Sequence, residues 1–559
     1  MSNRGTNGTC LFGPRRAVFE KLVGAVILPL LCAGVAPGQL RIVSYNTTKN
    51  GPHAGLGTVL QAIGEESRNA IARPIDVLLL QEQNGPFGDT QDIVDILNGI
   101  YGAGTYAHGN LVGGSTDSDD RQTIVYNSQT IQLMGESTAG TTPSQPRQAL
   151  RYLLQPVGYG SSAQFYVYNS HYKADDVPAA EAQRLVEANA IRSNADALAM
   201  DAHIIYAGDL NFYRSTDDGF ERLTSAGNGQ ALDPINRIGS WHNNSSFADI
   251  HSQAPCLSTC PSGFTTGGMD DRFDFQLVTS EFLDGEGLSY IGPTVPGMSG
   301  LMHSYHAFGN NGSTYNGHIN AGSNTVTFPG VTSYTKTQIL DALWSASDHI
   351  PVVADWQLPA VMQAVAGIVP PTLNVGQGFQ LDVTVSNIAN VLVAIGADEL
   401  DYSLTTSGAL SGSYLNEVDM ALGAGNVHFV TFDTSTPGMK SGMIAVSSTS
   451  QAVQNGLVNI PISFEVLAPG LAGDFNDDGT VDAADYVVWR KNEGTANMLP
   501  NDPHGGTIGA NQYNTWRTNF GAMSGSGSFG TNAVPEPGGW LLLVMGACLA
   551  GLARGTLRG

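Results

Sequence analysis

Asn46, Glu82, His171, Asp209 with Asn211, Asp274, and Asp348 with His349 have one thing in common: each stands at the end of a short apolar run. The runs are LRIVSYN, VLLLQE, FYVYNSH, HIIYAGDLN, RFDFQLV and ASDHIPVVADW. Short, continuous, partly β-branched runs of this kind predict strands covered on both faces. Asp and Asn are poor strand residues. Finding both in GDLN, with a Gly that lets the backbone turn, suggests a site rather than packing. Taken alone, GDLN reads more readily as an Asx-turn closing a strand. Six strand termini that carry only metal-ligand and acid/base residue types are hard to explain as turns.

The elements that must position these groups are also legible. Between the His171 and Asp209 runs, Glu181 to Met200 places Leu185, Ala188, Ile191 and Ala195 near helical spacing, which predicts an amphipathic helix. Repeated strand, helix, strand order makes this part of the chain α/β. The 74 positions from Asp274 to Asp348 include YHAFGNNGSTYNGHINAGSN, which reads as a substrate-facing insertion or a loose surface loop. A chain of 559 residues should hold several domains, and 13% charged residues with 68 Gly is loop-rich material of an extracellular kind. A net charge of −24 does not predict tight, salt-driven binding along a nucleic-acid backbone. It leaves phosphodiester hydrolysis open, because a bound divalent metal supplies local positive charge.

Taken in order, SYN, LQE, NSHYKA, GDLN, DRFDF and SDHIPV resemble the blocks of the endonuclease/exonuclease/phosphatase (deoxyribonuclease I-like) superfamily. That superfamily includes nucleases, neutral sphingomyelinases and inositol-phosphate phosphatases. The resemblance implies a four-layer α/β/β/α sandwich over residues 39–358, with its site at one end of two sheets. It implies a metal-dependent hydrolase of phosphodiester bonds, a nuclease first of all, which the flanking segments read as exported. The alternatives are a sphingomyelinase-type lipid phosphodiesterase, a phosphomonoesterase, or a non-catalytic surface binding protein. Asn46, Glu82 and Asp348 would be oxygen ligands to Mg²⁺ or Mn²⁺. Asp209 and His349 would orient and deprotonate the water, with Asp274 fixing the His349 tautomer. Asn211 and His171 would stabilise the phosphoryl oxygens. Arg121 and Lys173 are expected to grip a substrate phosphate, the other reading of each being a solvated surface charge. A lipid enzyme would need an exposed apolar hairpin, and the 281–345 region offers Phe308, Tyr315 and Phe328 without a concentrated apolar tip.

The flanks carry further expectations. Residues 1–38 read as a signal peptide: Arg15 and Arg16 precede an apolar run from Leu22 to Ala36, loosely in the twin-arginine manner. Cys256 and Cys260 predict a small loop disulfide of an exported protein, with a zinc site including His251 as the alternative. From 359 to 468, alternating runs such as FQLDVTVSN and VHFVTFD predict an all-β, Ig-like sandwich. In the segment 471–523, Asp474, Asn476, Asp478, Thr480 (through its carbonyl), Asp482 and Asp485 have the spacing of an EF-hand-type calcium loop. This small helical segment resembles a dockerin, which implies Ca²⁺ and a cohesin-like partner. A second copy 27 positions on keeps Tyr513 and Trp516 but puts Asn501, Pro503, Gly505, Gly509 and Gln512 at ligand positions. Residues 524–559 form a linker and a tail, VPEP then an apolar run and Arg554, which looks like the PEP-CTERM sorting signal of Gram-negative bacteria. That signal implies a sorting protease as partner and an extracellular or cell-surface location.

Overall fold

The computed structural model describes residues 39–524 apart from 86, 112, 115–120 and 141–147. The expected leader and the expected sorting tail lie outside the described residues. Among those described, no helix is long and apolar enough to cross a membrane.

The chain begins with β1 (Gln39–Asn46), α1 (Leu56–Glu65), β2 (Val77–Gln83), α2 (Gly88–Tyr101), β3 (Tyr106–His108), β4 (Gly113–Gly114) and β5 (Arg121–Asn127). Next come β6 (Ile131–Ala139), β7 (Ala149–Pro156), β8 (Phe165–His171), α3 (Pro178–Asp196), β9 (Ile204–Asp209), α4 (Asp218–Thr224) and β10 (Asp274–Val278). The short β11 (Ser289–Tyr290) and β12 (His306–Ala307), then α5 (Lys336–Ala346) and β13 (Val352–Gln357), follow. One mixed sheet runs β11-β13-β1-β2-β5-β3, and a second runs β10-β9-β8-β7-β6. The α/β expectation therefore holds, and the helix expected from Glu181 is α3, which starts at Pro178 and ends at Asp196.

Period-2 alternation explains how both faces of the first sheet are covered. Leu40, Ile42, Leu79, Ile124 and Val352 join a buried cluster with Leu150, Tyr152, Val167, Ile205 and Phe275 of the second sheet. Their neighbours Val43, Tyr45, Leu78, Leu80, Val125 and Val353 join another with Leu60 and Ile63 of α1, Leu97 of α2 and Leu343 of α5. Polar side chains tie the two sheets together. Asn169 of β8 donates to the carbonyls of Leu80 (3.1 Å) and Thr123 (2.8 Å), and Gln276 of β10 to those of Ile42 (3.1 Å) and Val352 (2.9 Å).

The long connection from Asp274 to Asp348 is not the loose surface loop that its composition allowed. Phe308, Ile319 and Phe328 pack on the α5 side of the first sheet. Buried Asn310 and Asn324 satisfy the carbonyls of Ala248, His251, Gly309 and Ile319, so the polar residues act as internal fasteners.

Residues 362–467 form a four-stranded and a five-stranded sheet around a separate cluster that includes Val383, Tyr402, Val430, Ile444 and Phe464. Beyond them two ten-residue helices, Ala483–Asn492 and Ala510–Asn519, face each other. Trp489 Nε1 donates to the Gly509 carbonyl (3.0 Å) and Trp516 Nε1 to the Asp482 carbonyl (2.7 Å), so the internal repeat exchanges the same bond in both directions.

Candidate active site

Strand register gathers the predicted groups at one edge of the paired sheets. Parallel β1 and β2 set Asn46 beside Gln81, one residue from Glu82, and parallel β8 and β9 set His171 beside Asp209. Antiparallel β10 brings Asp274 opposite Asp209. Antiparallel β13 begins with Val352 opposite Ser44, so Asp348 and His349, just before it, lie at the Asn46 end. Two local distortions aim the side chains. A bulge in β2 between Leu80 and Gln83 leaves Glu82 at φ 58, turned out of the ladder. Gly208 has φ 127, and a Cβ there would lie 1.9 Å from the Ser170 carbonyl oxygen, so only glycine lets the chain deliver Asp209 at this point.

The resulting cluster is buried and mutually bonded. Glu82, His171 and Asp209 each offer one ligand atom, all within 4.8 Å of one another. His171 Nε2 lies 3.3 Å from Asp209 Oδ2 and 3.9 Å from Glu82 Oε1. His349 Nδ1 donates to Asp274 Oδ2 at 2.7 Å, which turns its Nε2 toward Asp209 Oδ2 at 3.7 Å. Burial would lower the pKa of His349, but the Asp274 and Asp209 carboxylates outweigh it and raise the value well above that of an ordinary histidine. Burial, opposed by the two histidines and reinforced by Asp274 and Glu82, pushes the Asp209 carboxyl up to about 6.

Not every expected ligand faces the cluster with an oxygen. Asn46 Nδ2 donates to Glu82 Oε1 (3.1 Å) and Asp209 Oδ2 (3.1 Å), while its Oδ1 accepts from the Thr48 backbone N–H. It links the carboxylates as a donor instead of presenting an oxygen to a metal. Asp348 stands apart: one of its oxygens accepts from Thr48 Oγ1 and the other from the Thr265 N–H at 2.8 Å. Each oxygen of Asp348 thus helps to fix the loop before β13. His171, expected at the phosphoryl oxygens, instead joins the ligand-like group, as does Asp209. Asn211 turns its Nδ2 to the Tyr172 carbonyl (3.0 Å), and its backbone N–H caps Asp209 Oδ1 (3.2 Å). Here it supports the carboxylate rather than an open phosphoryl position.

Arg121 opens β5 opposite Gln83, next to Glu82, and its Nε is buried with no hydrogen-bond partner. Lys173 takes the surface reading: its side chain is 41% exposed and pairs with Asp175 at 3.1 Å. Gln253 was not legible in the sequence. Its Nε2 sits 2.7 Å from His349 Nε2, and the stretch that carries it, SQAPC, has no periodicity and drew attention only to Cys256.

Cys256 and Cys260 form a disulfide with Cα atoms 5.7 Å apart. The zinc alternative fails, because buried His251 contacts the Met269 and Trp241 carbonyls instead of the thiols. In the 474–485 loop, Asp474 accepts from the N–H groups of Asp478 and Gly479. Asp478 accepts from the Thr480 N–H, and Asn476 Oδ1 from the Asp478 N–H. Asp482 caps the following helix through the Ala484 N–H, and Asp485 accepts from Phe475, Asn476 and Asp482.

No protein-family model and no curated protein matches the sequence. Among solved structures the chain is similar to an endonuclease/exonuclease/phosphatase from Bacteroides vulgatus, at 14% identity over 57% of this chain and 99% of that one, TM-score 0.33. It is similar to the human Nocturnin catalytic domain with bound sulfate, at 14% identity over 57% and 95% of the two chains, TM-score 0.30. D. rerio TDP2 complexed with single strand DNA product gives 14%, 57%, 99% and 0.33 in the same terms. At these identities and scores the similarity carries no argument about the chemistry of this chain, which rests on the geometry above.

Proposed function

We propose that residues 39–358 form a four-layer, metal-dependent phosphoesterase domain that hydrolyses phosphodiesters, acting first of all as a nuclease. The observation that carries this reading is the buried union of a Glu82/His171/Asp209 ligand group with a His349–Asp274 pair. The donors fit a divalent cation: two carboxylate oxygens and one imidazole suit Mn²⁺, and Mg²⁺ if the oxygens dominate. Such an ion, when bound, offsets charge on the phosphoryl oxygens and acidifies water. The chain's own groups supply the rest. Asp274 orients His349 with Nε2 toward Asp209, where Gln253 Nε2 lies 2.7 Å from it; with the ring neutral and water in place of that contact, His349 would take a proton from the attacking water, in a space that Asp209 and Gln253 border. Arg121, with its unpaired buried Nε, is suited to a phosphate oxygen. The alternation of apolar residues between two clusters supports the layered arrangement.

The lipid reading is weaker. Of the large hydrophobic residues described between 281 and 345, only Met302 is prominently exposed, and Phe308 is fully buried. A panel of plasmid DNA, RNA, sphingomyelin and a bis-aryl phosphate, each with Mg²⁺ and Mn²⁺, tests the proposal. Turnover of at least one phosphodiester with metal is expected, and Glu82→Gln should raise the metal concentration required. No turnover of any substrate with either metal would refute it.

The remaining modules are proposals on sequence grounds. They are a cleaved leader, a β-sandwich spacer, a dockerin-like module binding one Ca²⁺ at Asp474–Asp485 and a cohesin-like partner, and a sorting tail cut by a membrane protease. The disulfide supports export into an oxidising compartment.

A further inference from the structure

A cavity of about 550 Å³ opens where the chain leaves α1, at Glu66 and Arg68, and meets the segments around Asp249, His303 and Thr325. None of the strand-edge groups lines it. Tyr305 does, and its hydroxyl donates to the Asp274 carbonyl at 3.3 Å. The size falls in the range of roughly 300–1,000 Å³ of sites for small organic ligands. Ile235, Pro293, Leu301 and Val326 give the cavity an apolar side.

Its charged groups are arranged for an anion. Arg68 Nε donates to the His303 carbonyl, and among the described residues neither of its Nη groups has a hydrogen-bond or ion-pair partner. Both carboxylates of the lining are already bonded: Glu66 to His306 Nε2 at 2.8 Å, and Asp249 to the two Nη groups of Arg237 at 2.9 and 3.0 Å. Arg68 is thus anchored at Nε with its forked end unspent. His303 supplies a further donor. The Tyr290 hydroxyl accepts from the Tyr305 N–H (3.1 Å), which leaves its own proton for His303 Nδ1 at 3.1 Å. Burial and then the Arg68 charge hold the His303 pKa below that of an ordinary histidine, so the neutral ring carries its proton on Nε2. That nitrogen has no hydrogen-bond partner among the described residues.

We infer that this cavity binds a small organic phosphate of mononucleotide size, with Arg68 Nη1 and Nη2 and His303 Nε2 on the phosphoryl oxygens and the apolar side against its body. A guanidinium fork and an imidazole N–H offer donors for three oxygens; a phosphate presents three and a carboxylate only two. What separates Arg68 from a solvated surface arginine is its anchorage: it is half-buried, fixed to backbone at Nε, and no carboxylate of the lining is left unbonded to neutralise it. The site stands apart from the phosphoesterase reading and does not depend on it.

The test is isothermal titration calorimetry of the full chain with thymidine 5′-monophosphate, thymidine and inorganic phosphate as probes. EDTA is present, so that no metal recruits a probe to the strand edge. The monophosphate should bind, and thymidine should bind at least about tenfold more weakly, because it forgoes hydrogen bonds to a charged group. Arg68→Ala should weaken the monophosphate by about tenfold or more. Thr327→Trp, which fills the cavity from an exposed wall position whose side chain makes no hydrogen bond, should do the same. Arg121→Ala, at the strand edge, should leave the affinity unchanged, and circular dichroism confirms that each variant is folded. No heat with any probe, equal affinity for thymidine and its monophosphate, or affinity that Arg68→Ala and Thr327→Trp both leave intact would overturn the site. Affinity lost in Arg121→Ala but kept in Arg68→Ala would put the ligand at the strand edge and overturn it equally. Inorganic phosphate that matched the monophosphate would overturn the organic part of the assignment.

Discussion

Asp209 and Asp485 are both buried carboxylates in clusters of possible ligands, and they are held in opposite ways. Asp209 meets Asn46, His171 and His349, which come from distant parts of the chain, and its Oδ2 has neighbours at 3.1, 3.3 and 3.7 Å. Asp485 meets only its own loop, accepting the N–H groups of Phe475 (2.7 Å), Asn476 (3.0 Å) and Asp482 (2.8 Å). Sheet register assembles the first cluster, and the side chains there can be exchanged without unfolding the strands beneath. In the second, the carboxylates organise the backbone itself, so a change in ligand is also a change in fold. The difference separates a site whose mutants should lose rate from one whose mutants should lose stability.

The largest expected effect belongs to the first cluster. Asp209→Asn should lower kcat on any cleaved phosphodiester by about 10² to 10⁴ while the thermal unfolding temperature moves little, because the amide removes the charge from the ligand group and from beside His349 yet fills the same space. Steady-state kinetics beside a melting curve would show this. A variant that unfolded readily but kept its turnover per folded molecule would erase the contrast.

Next in size is the tie between the sheets. Asn169→Leu leaves the carbonyls of Leu80 and Thr123 without their donor and should cost about 1–3 kcal/mol for the orphaned groups, seen as a lower midpoint in urea. A fall in kcat should accompany it, since Asn169 lies two residues before His171 and helps fix the spacing between the sheets.

In the loop, Asp485→Ala should abolish Ca²⁺ uptake by the full chain in calorimetry and lower the stability of the 474–519 segment in hydrogen exchange, with activity on small phosphodiesters unchanged. Three N–H groups lose their acceptor there. Retained Ca²⁺ binding would remove Asp485 from the ligand set.

The last effect, one of pH dependence, concerns Asp398, where the α/β part meets the following β strands. Its backbone N–H donates to the Leu358 carbonyl at 2.9 Å. Burial, then the charges of Glu286, Glu399 and Asp401, push its carboxyl up to about 8, with the Gly287 N–H offsetting only part. The folded chain therefore binds a proton that the unfolded chain releases near its ordinary value of about 4. Stability should fall as pH rises from about 4 toward 8, and Asp398→Asn should flatten that slope and melt higher than wild type near pH 8. Melting temperatures of both proteins across that range decide it; parallel curves would contradict the assignment.

Much of the strand-edge cluster was legible in the sequence, because each group stands at one end of an apolar run and a strand end is a fixed place in a sheet. The Asp274–His349 bond was among what the superfamily resemblance implied, and the disulfide followed from residue type and position. What could not be read was orientation. Nothing in SYN tells that the Asn46 amide turns its nitrogen to the carboxylates, since that is decided by the Thr48 N–H taking its oxygen. Nothing in SDHIPV tells that Thr48 and Thr265 occupy Asp348. Gln253 lies on irregular backbone, where position depends on long-range pairing instead of periodicity. The polar 308–328 stretch misled because buried Asn residues that bond carbonyls look, in sequence, like loop residues.

The central claim is that the strand-edge cluster hydrolyses phosphodiesters with a metal and His349. The most direct measurement is hydrolysis of a bis-aryl phosphate by wild type and His349→Ala after chelation and after addition of Mg²⁺ or Mn²⁺. Wild type should be silent when stripped and active when reloaded, with folded His349→Ala at about a hundredth of that rate or less. Activity that survives chelation, or a His349→Ala enzyme retaining more than about a tenth of the wild-type rate, would contradict it.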